Sequence, residues 1–233
     1  MIDIHSHFLP NMDDGAKTVG ESIAMLSESK KQGVDICVGT SHVSLHSESS
    51  ISSFLKKRAE SIELLENAIK DKNADVPKLM YGAEIFLDND ISQNEELHKL
   101  SFGDRNCLLV ELSPMGYYPL YTEWLYSLTL NGYLPIIAHI ERYPYMDDLF
   151  AELESLDIVY QMNAKTVLGL FGPRKLLSVY EKNKKIIVAS DMHNMGKRKC
   201  RLQEAKKKIM KKNPDVAEDV FSDLQKEILN IEY

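Results

Sequence analysis

Residues 1–7, MIDIHSH, decide how the rest of the chain is read. Ile2 and Ile4 alternate with Asp3 and His5, and side chains two apart on a strand share a face, so His5 and His7 aim together where the first strand ends. A lone His-x-His is more often two unrelated surface histidines. The pattern therefore needs an answer elsewhere in the chain. Short apolar, β-branched runs recur at Val34–Gly39, Leu79–Phe86, Cys107–Leu112, Leu134–Ile140, Ile158–Met162 and Lys185–Ser190, which with Met1–His5 makes seven candidate strands.

Helical patterns fill the intervals. In TVGESIAMLSESKKQG, Thr18 and Glu21 form a capping box, Ile23, Met25 and Leu26 supply an apolar face, and Gly33 suits a C-terminal stop. SSFLKKRAESIELLENAIKDK spaces Leu55, Ile62, Leu65 and Ile69 at helical intervals, with its charges on a solvated face. Such alternation predicts right-handed βα units around a parallel sheet in one domain, residues 1–233, with no Gly/Ser/Pro linker or repeat to divide it. An open doubly wound sheet and a closed barrel with one unit fewer than the usual eight both satisfy the pattern. The absence of Gly-x-Gly-x-x-Gly after the first strand lowers the nucleotide-binding version. Either architecture puts chemistry at the carboxyl ends of the strands.

Nearly every predicted strand ends in a metal-type donor. His5 and His7 are followed by Asp13 and Asp14 in MDDGA; the second strand runs into His42 in GTSH; the third holds Glu84 in YGAEI. Glu111 ends the fourth in LLVELS, His139 the fifth in IIAHI, and Asp191 and His193 the seventh in ASDMH. Only the sixth, ending near Asn163, offers no obvious ligand. A carboxylate such as Glu111 inside an apolar strand costs several kcal/mol to desolvate unpaired, so a cationic partner is expected and burial beside it is predicted. His139 taken alone reads as a hydrogen-bonded core histidine. Separate explanations for six strand ends are less economical than one shared site. Five histidines and four carboxylates exceed the three protein ligands of a single catalytic zinc and imply two or three divalent ions. Imidazole and carboxylate without thiolate favour manganese, iron, zinc or magnesium.

Composition narrows the function further. A 44% hydrophobic content provides a sizeable core, and a formal net charge of −7 without a basic stripe argues against nucleic-acid binding. Cys37, Cys107 and Cys200 have no paired spacing, so neither a disulfide framework nor a Cys-x-x-Cys metal site is indicated, and a cytoplasmic location is expected. Asp3 and His5 stand where a leader would need a basic start, and no apolar run approaches the ~20 residues that span a bilayer, so a soluble, unprocessed protein is expected.

These motifs resemble the polymerase and histidinol phosphatase superfamily, whose domains are distorted (β/α)7 TIM-like barrels with a multinuclear site. Within it, MIDIHSHFLPNMDDGAKT, GTSH, GAEI, AHIERY and SDMH look most like the bacterial metal-dependent protein tyrosine phosphatases of capsule and exopolysaccharide control, over Met1 to about Arg201. The resemblance implies metal-ligand roles for His5, His7, Asp14, His42, Glu84, Glu111, His139, Asp191 and His193, with Asp13 adjacent and chemically equivalent to Asp14. It also implies phosphate-binding, catalytic roles for Arg142 and Arg198, manganese as the first choice of metal, and the phosphotyrosine tail of a bacterial tyrosine kinase as substrate partner. The first helix, VGESIAMLSESKK, lacks the glutamate-rich, arginine-containing pattern that some relatives use to assemble rings, which leaves monomer and homo-oligomer both open.

The residues support that chemistry independently. Arginine offers a rigid, permanently charged fork for phosphate oxygens, and Arg142 lies three residues beyond His139. Arg198, in GKRKCR, reads equally as a basic solvated loop. Tyr117, Tyr118, Tyr143 and Tyr145 are candidates to flank an aromatic substrate at the mouth. The expected reaction is phosphomonoester hydrolysis by a metal-bound hydroxide, with His42 a proton donor if metal leaves it free. A cysteine phosphatase needs arginine six residues after its thiolate, and none of the three cysteines has it. The alternative is a small-molecule phosphatase acting on a compound such as histidinol phosphate.

Overall fold

Among the described residues, nine parallel strands stand where the sequence predicts seven, because the Leu79–Phe86 run is split in two and the second run resumes after Gly39 as a short extra strand. The computed structural model describes residues 1–45, 48–182 and 185–231. Its strands are β1 (Ile2–Ser6), β2 (Ile36–Gly39), β3 (His42–Ser44), β4 (Lys78–Tyr81), β5 (Glu84–Phe86), β6 (Cys107–Glu111), β7 (Leu134–Ile137), β8 (Val159–Asn163) and β9 (Ile186–Ala189). They form two parallel sheets, β1-β2-β4 and β3-β5-β6-β7-β8-β9. Backbone bonds carry the ladder across both breaks: Gly82 N–H donates to Gly39 O at 2.9 Å and Glu84 N–H to Ser41 O at 3.1 Å. Glycine is required at the second break, since a Cβ on Gly82 would lie 2.6 Å from the Phe102 ring. The far edges also meet, with Asp191 N–H donating to His5 O and His7 N–H to Met192 O, each at 2.9 Å.

Helices α1 (Val19–Lys31), α2 (Glu48–Asp71), α3 (Tyr121–Leu130), α4 (Met146–Glu152), α5 (Ala164–Leu168), α6 (Gly172–Lys182), α7 (Leu202–Met210), α8 (Pro214–Glu218) and α9 (Leu224–Leu229) occupy the connections and the C-terminal region. The predicted start of α1 holds with one change. Thr18 Oγ1 accepts from Glu21 N–H, but the Glu21 carboxylate reaches back to Lys17 N–H at 2.9 Å rather than to the cap residue itself. Gly33 ends the helix region at φ +82°, a conformation glycine adopts without steric cost.

Simple alternation in MIDIHSH gives way to a bulge. Asp3 pairs with Cys37 and Ser6 with Gly39, so three steps along β1 oppose two along β2. The extra residue lets the neighbours Ile4 and His5 serve the same side of the sheet. Ile4 joins an inner apolar cluster with Ile36, Leu109, Ile136, Val159 and Ile187, while the His5 ring meets Gln161 of β8. Ile228 and Leu229 of α9 complete that cluster beside Cys107, at the amino ends of the strands. A larger cluster packs the helices outside the sheets. Apolar residues thus fill the inner space at one end, and the polar donors gather at the other.

Candidate metal centre

All nine predicted donors converge. His5 lies in β1 and His7 just beyond it; His42 opens β3, Glu84 opens β5, Glu111 closes β6, and His139, Asp191 and His193 follow β7 and β9. Glu84 is the hub. Its Oε2 lies 3.1 Å from His5 Nε2, 3.2 Å from His7 Nε2 and 3.1 Å from His42 Nδ1, and its Oε1 lies 2.9 Å from His139 Nε2. Glu111 is 3.3 Å from His139 Nε2, and Asp191 Oδ1 is 3.4 Å from His193 Nδ1. Three overlapping sets, His7/Asp14/His42/His193, His5/His7/Glu84 and His42/Glu84/Glu111, each bring their donor atoms within 4.8 Å of one another.

The hydrogen bonds behind the rings fix which nitrogen faces inward. His5 Nδ1 meets Gln161 Oε1 at 3.0 Å, His7 Nδ1 meets Asp13 Oδ2 at 2.8 Å and His193 Nδ1 meets the Asp191 carbonyl at 3.1 Å. Each partner is an acceptor, so each Nδ1 carries a proton and each ring turns its Nε2 into the site, where it offers a lone pair whenever the ring is neutral. His5 Nε2 and His7 Nε2 then stand 3.2 Å apart, beside a carboxylate oxygen. Buried His193 Nε2 has no hydrogen-bond partner, although Asp14 Oδ1 is 3.2 Å away. Lone pairs so placed repel unless a cation lies among them. Donors about 2.1 Å from a shared ion are about 3.0 Å apart at octahedral angles and about 3.4 Å apart at tetrahedral ones, so these separations match the edges of coordination polyhedra. The donor set fits divalent metal.

Electrostatics point the same way. Burial penalises a charged His7, yet its bonds to Asp13 and Glu84 outweigh that and raise its pKa to about 10; the site favours a cation, proton or metal, at this point. Burial alone would raise Glu84, but the surrounding histidines, His5 foremost, hold it well below the usual carboxylate range. Asp191 is likewise lowered to about 2 against burial by His5, His7 and Arg198. His193 is pushed down to about 3 by burial and by the charge of His7, which keeps its ring neutral.

Burial sorts floor from rim. His5, His7, Glu84, His139, Asp191 and His193 are buried, whereas side-chain exposure rises to 18% at Glu111, 36% at His42 and 62% at Asp14. Glu111 is thus less buried than the sequence predicts, because its strand ends at the opening. Arg142 and Arg198 stand at that rim on one carboxylate: Arg142 Nη2 donates to Asp191 Oδ2 at 2.9 Å and Arg198 Nη2 to Asp191 Oδ1 at 2.8 Å. Arg198 Nη1 also reaches Asp14 Oδ2 at 3.3 Å, so it belongs to the site rather than to a detached basic loop. Asp13 and Asp14 prove inequivalent. Asp13 orients His7 and accepts from His42 N–H and Gly15 N–H, while Asp14 faces His42 and His193.

Sequence reasoning missed a supporting layer. Gln161 Oε1 accepts from His139 N–H at 2.7 Å as well as from His5, and its Nε2 donates to Asn163 Oδ1, whose own amide donates to Asp191 Oδ2 at 2.7 Å. The strand that offers no ligand therefore supplies the frame. Polar residues at alternate positions of an otherwise apolar strand, Gln161 and Asn163, were the available signal. His139 and Asp191 adopt left-handed backbone, φ 30° and 52°, which costs energy that the surrounding bonds must hold in place. Of the four mouth tyrosines, Tyr143 and Tyr145 are buried and stacked on each other, with Tyr143 Oη 3.2 Å from His139 Nδ1; only Tyr117 and Tyr118 are exposed. Tyr143 positions a candidate ligand instead of flanking a substrate.

A family model described as capsular polysaccharide synthesis, CpsB/CapC, matches residues 1–230. The chain is 33% identical to the tyrosine-protein phosphatase YwqE of Bacillus subtilis (strain 168), over 88% of its own length and 82% of the relative's. It is 32% identical to the tyrosine-protein phosphatase CpsB of Streptococcus pneumoniae over 98% of each chain. Among solved structures, one described with YwqE and CpsB as unique metal-dependent tyrosine phosphatases superposes with a TM-score of 0.82 at 25% identity, covering 100% of this chain and 96% of that one.

Proposed function

Since this chain belongs to the CpsB/CapC family of capsular polysaccharide synthesis, we propose that it is a metal-dependent protein tyrosine phosphatase acting on a phosphorylated bacterial tyrosine kinase tail. The observation that carries the reading is the set of inward-facing Nε2 lone pairs of His5, His7 and His193 packed against Glu84, Asp14 and Asp191, with Arg142 and Arg198 at the opening.

His5, His7, Asp14, His42, Glu84, Glu111, His139, Asp191 and His193 would hold two or three divalent ions, manganese first. Such ions supply Lewis acidity to the phosphate and acidify the attacking water. The remaining work falls to the chain. Arg142 and Arg198, fixed by Asp191, would offer their remaining N–H groups to phosphate oxygens as charge-assisted donors. His42 is the most exposed ring of the five, and where it is left free of metal it is the one from which a proton can reach a leaving phenolate. Gln161, Asp13 and Tyr143 keep their histidines aimed. A thiolate route has no support: Cys37, Cys107 and Cys200 are buried, and burial pushes the Cys107 and Cys200 thiols up to about 12.

Residues 1–233 are read as one catalytic domain in the form of a distorted (β/α)7 barrel. Support comes from the ladder that continues through both breaks and from the bonds joining β1 to the residues after β9. A cytoplasmic enzyme accords with three free cysteines, and among the described residues no helix is long and apolar enough to cross a membrane. The test is turnover by manganese-loaded protein of a phosphotyrosyl peptide against histidinol phosphate. Preference for the peptide supports the proposal, and preference for histidinol phosphate overturns it.

A further inference from the structure

Beside the acidic metal centre lies a second concentration of charge, opposite in sign. A cleft of ≈ 260 Å³ shares Arg142, Asp191 and Arg198 with the centre and continues past them to Lys165, Lys197 and Lys199. Lys165 comes from α5, directly after β8, and the other two come from the loop after β9. Arg142 and Arg198 are neutralised in part by Asp191, and Arg201 on the far wall pairs with Glu204 at 2.6 Å. Lys165, Lys197 and Lys199 are exposed and among the described residues form no direct ion pair, although Lys199 is near enough to Glu204 to help lower its pKa. In a chain of net charge −7, a cleft lined by six cationic side chains and one carboxylate reverses the local sign and draws anions to it.

The loop that presents them is held in shape. Asn194 Oδ1 accepts from Gly196 N–H at 2.9 Å and Arg198 N–H at 3.2 Å, His193 N–H donates to Arg198 O at 2.8 Å, and Gln32 Nε2 donates to the carbonyl of buried Cys200 at 2.7 Å. Little ordering remains to be done when an anion arrives. Because the cleft shares both arginines with the centre, its occupant adjoins the phosphoryl group under attack. Side chains two apart on an extended peptide lie on one face, about 7 Å from each other. Lysine ammonium groups are compact, flexible point charges and suit a carboxylate as well as a phosphoryl group.

We propose that this cleft is a substrate subsite that binds a second anionic side chain, carboxylate or phosphoryl, on the same peptide within a few residues of the phosphotyrosine. The inference rests on the phosphatase reading and adds a sequence preference to it. The test compares the manganese-loaded full chain on three peptides of one sequence, in which the phosphotyrosine is flanked by glutamine, by glutamate or by a second phosphotyrosine. Hydrolysis of p-nitrophenyl phosphate, which has no second anion, is measured alongside. We expect kcat/KM to rise roughly tenfold for an anionic flank, the size of two or three screened charge pairs, and the rise to shrink in 0.5 M salt, on the order of a 4 Å screening length. Preference for only one of the two flanks identifies that group as the natural occupant. Lys165→Gln/Lys197→Gln/Lys199→Gln should bring the peptide ratio near one, whatever its rate on p-nitrophenyl phosphate. Single Lys197→Gln protein, and binding of the same peptides bearing a non-hydrolysable phosphonate in place of phosphotyrosine, give the same comparison should the triple variant fold poorly. Equal kcat/KM on all three peptides, or a preference that survives the triple substitution, overturns the subsite. Failure to hydrolyse even p-nitrophenyl phosphate would instead strike the phosphatase reading.

Discussion

Replacing Gln161 with leucine removes the frame of the centre while nearly conserving its volume. Gln161 is fully buried in β8; its Oε1 receives His139 N–H at 2.7 Å and faces His5 Nδ1 at 3.0 Å, and its Nε2 donates to Asn163 Oδ1 at 2.8 Å. Leucine strands all three groups. Each unpaired buried polar group costs about 1 kcal/mol at the least, so three cost about 3 kcal/mol or more, and the extra apolar burial offsets about 1 kcal/mol, leaving a net loss of at least about 2 kcal/mol. For a chain of this length that lowers Tm by at least roughly 4–8 °C. His5 also loses the acceptor that sets its tautomer, so metal affinity should fall roughly 10- to 100-fold. Gln161→Glu keeps both acceptor contacts and loses only the donor, so it should recover most of the metal affinity. The assay pairs urea denaturation of metal-free protein with calorimetric manganese titration of all three proteins. A Gln161→Leu protein with lower stability but wild-type manganese affinity would refute the orienting role, and one unchanged in both would refute the hydrogen-bond assignment altogether.

Three further outcomes follow from the same geometry. In Gly15→Ala the new Cβ would lie 2.2 Å from His7 O and 2.5 Å from His7 Cβ, so the backbone must shift; a loss of about 1–3 kcal/mol, read by thermal melting, should accompany loss of most turnover, and a wild-type melt would contradict the close approach. Arg142→Ala should reduce kcat/KM on a phosphotyrosyl peptide about ten- to a hundredfold with metal content unchanged, because its guanidinium is two-fifths exposed and its loss leaves no cavity; a reduction that tracks missing metal would reassign it to supporting Asp191. Glu111→Gln, at a partly exposed strand end, should keep its melting temperature within about 2 °C while losing more than tenfold in turnover, and full turnover in the folded variant would remove Glu111 from the ligand set.

Much of this was legible in the sequence, for physical reasons that differ by element. The strand runs and the Thr18 cap of α1 depend on local chemistry, and they appear close to where pattern places them. The donors were legible because charged and imidazole groups at the ends of apolar strands need a common explanation. What escaped was whatever depends on three-dimensional neighbours. The bulge between Asp3 and Ser6 and the break at Gly82 arise from pairing with β2 and packing on Phe102, which no period-two pattern contains. Asp13 and Asp14 are chemically equal in the sequence and separate only because the chain turns tightly at Gly15, sending one behind His7 and the other toward His193. Tyr143 reads as a loop aromatic, yet burial and its contact with His139 give it a positioning role.

Metal content and turnover measured on one sample test the central claim most directly. After manganese reconstitution and removal of free ion, elemental analysis should find at least two equivalents per chain, consistent with nine donors, Glu84 among them, gathered at one end of the strands, and hydrolysis of a phosphotyrosyl peptide should rise with occupancy and vanish on chelation. Full hydrolysis by protein holding one equivalent or none would contradict the account.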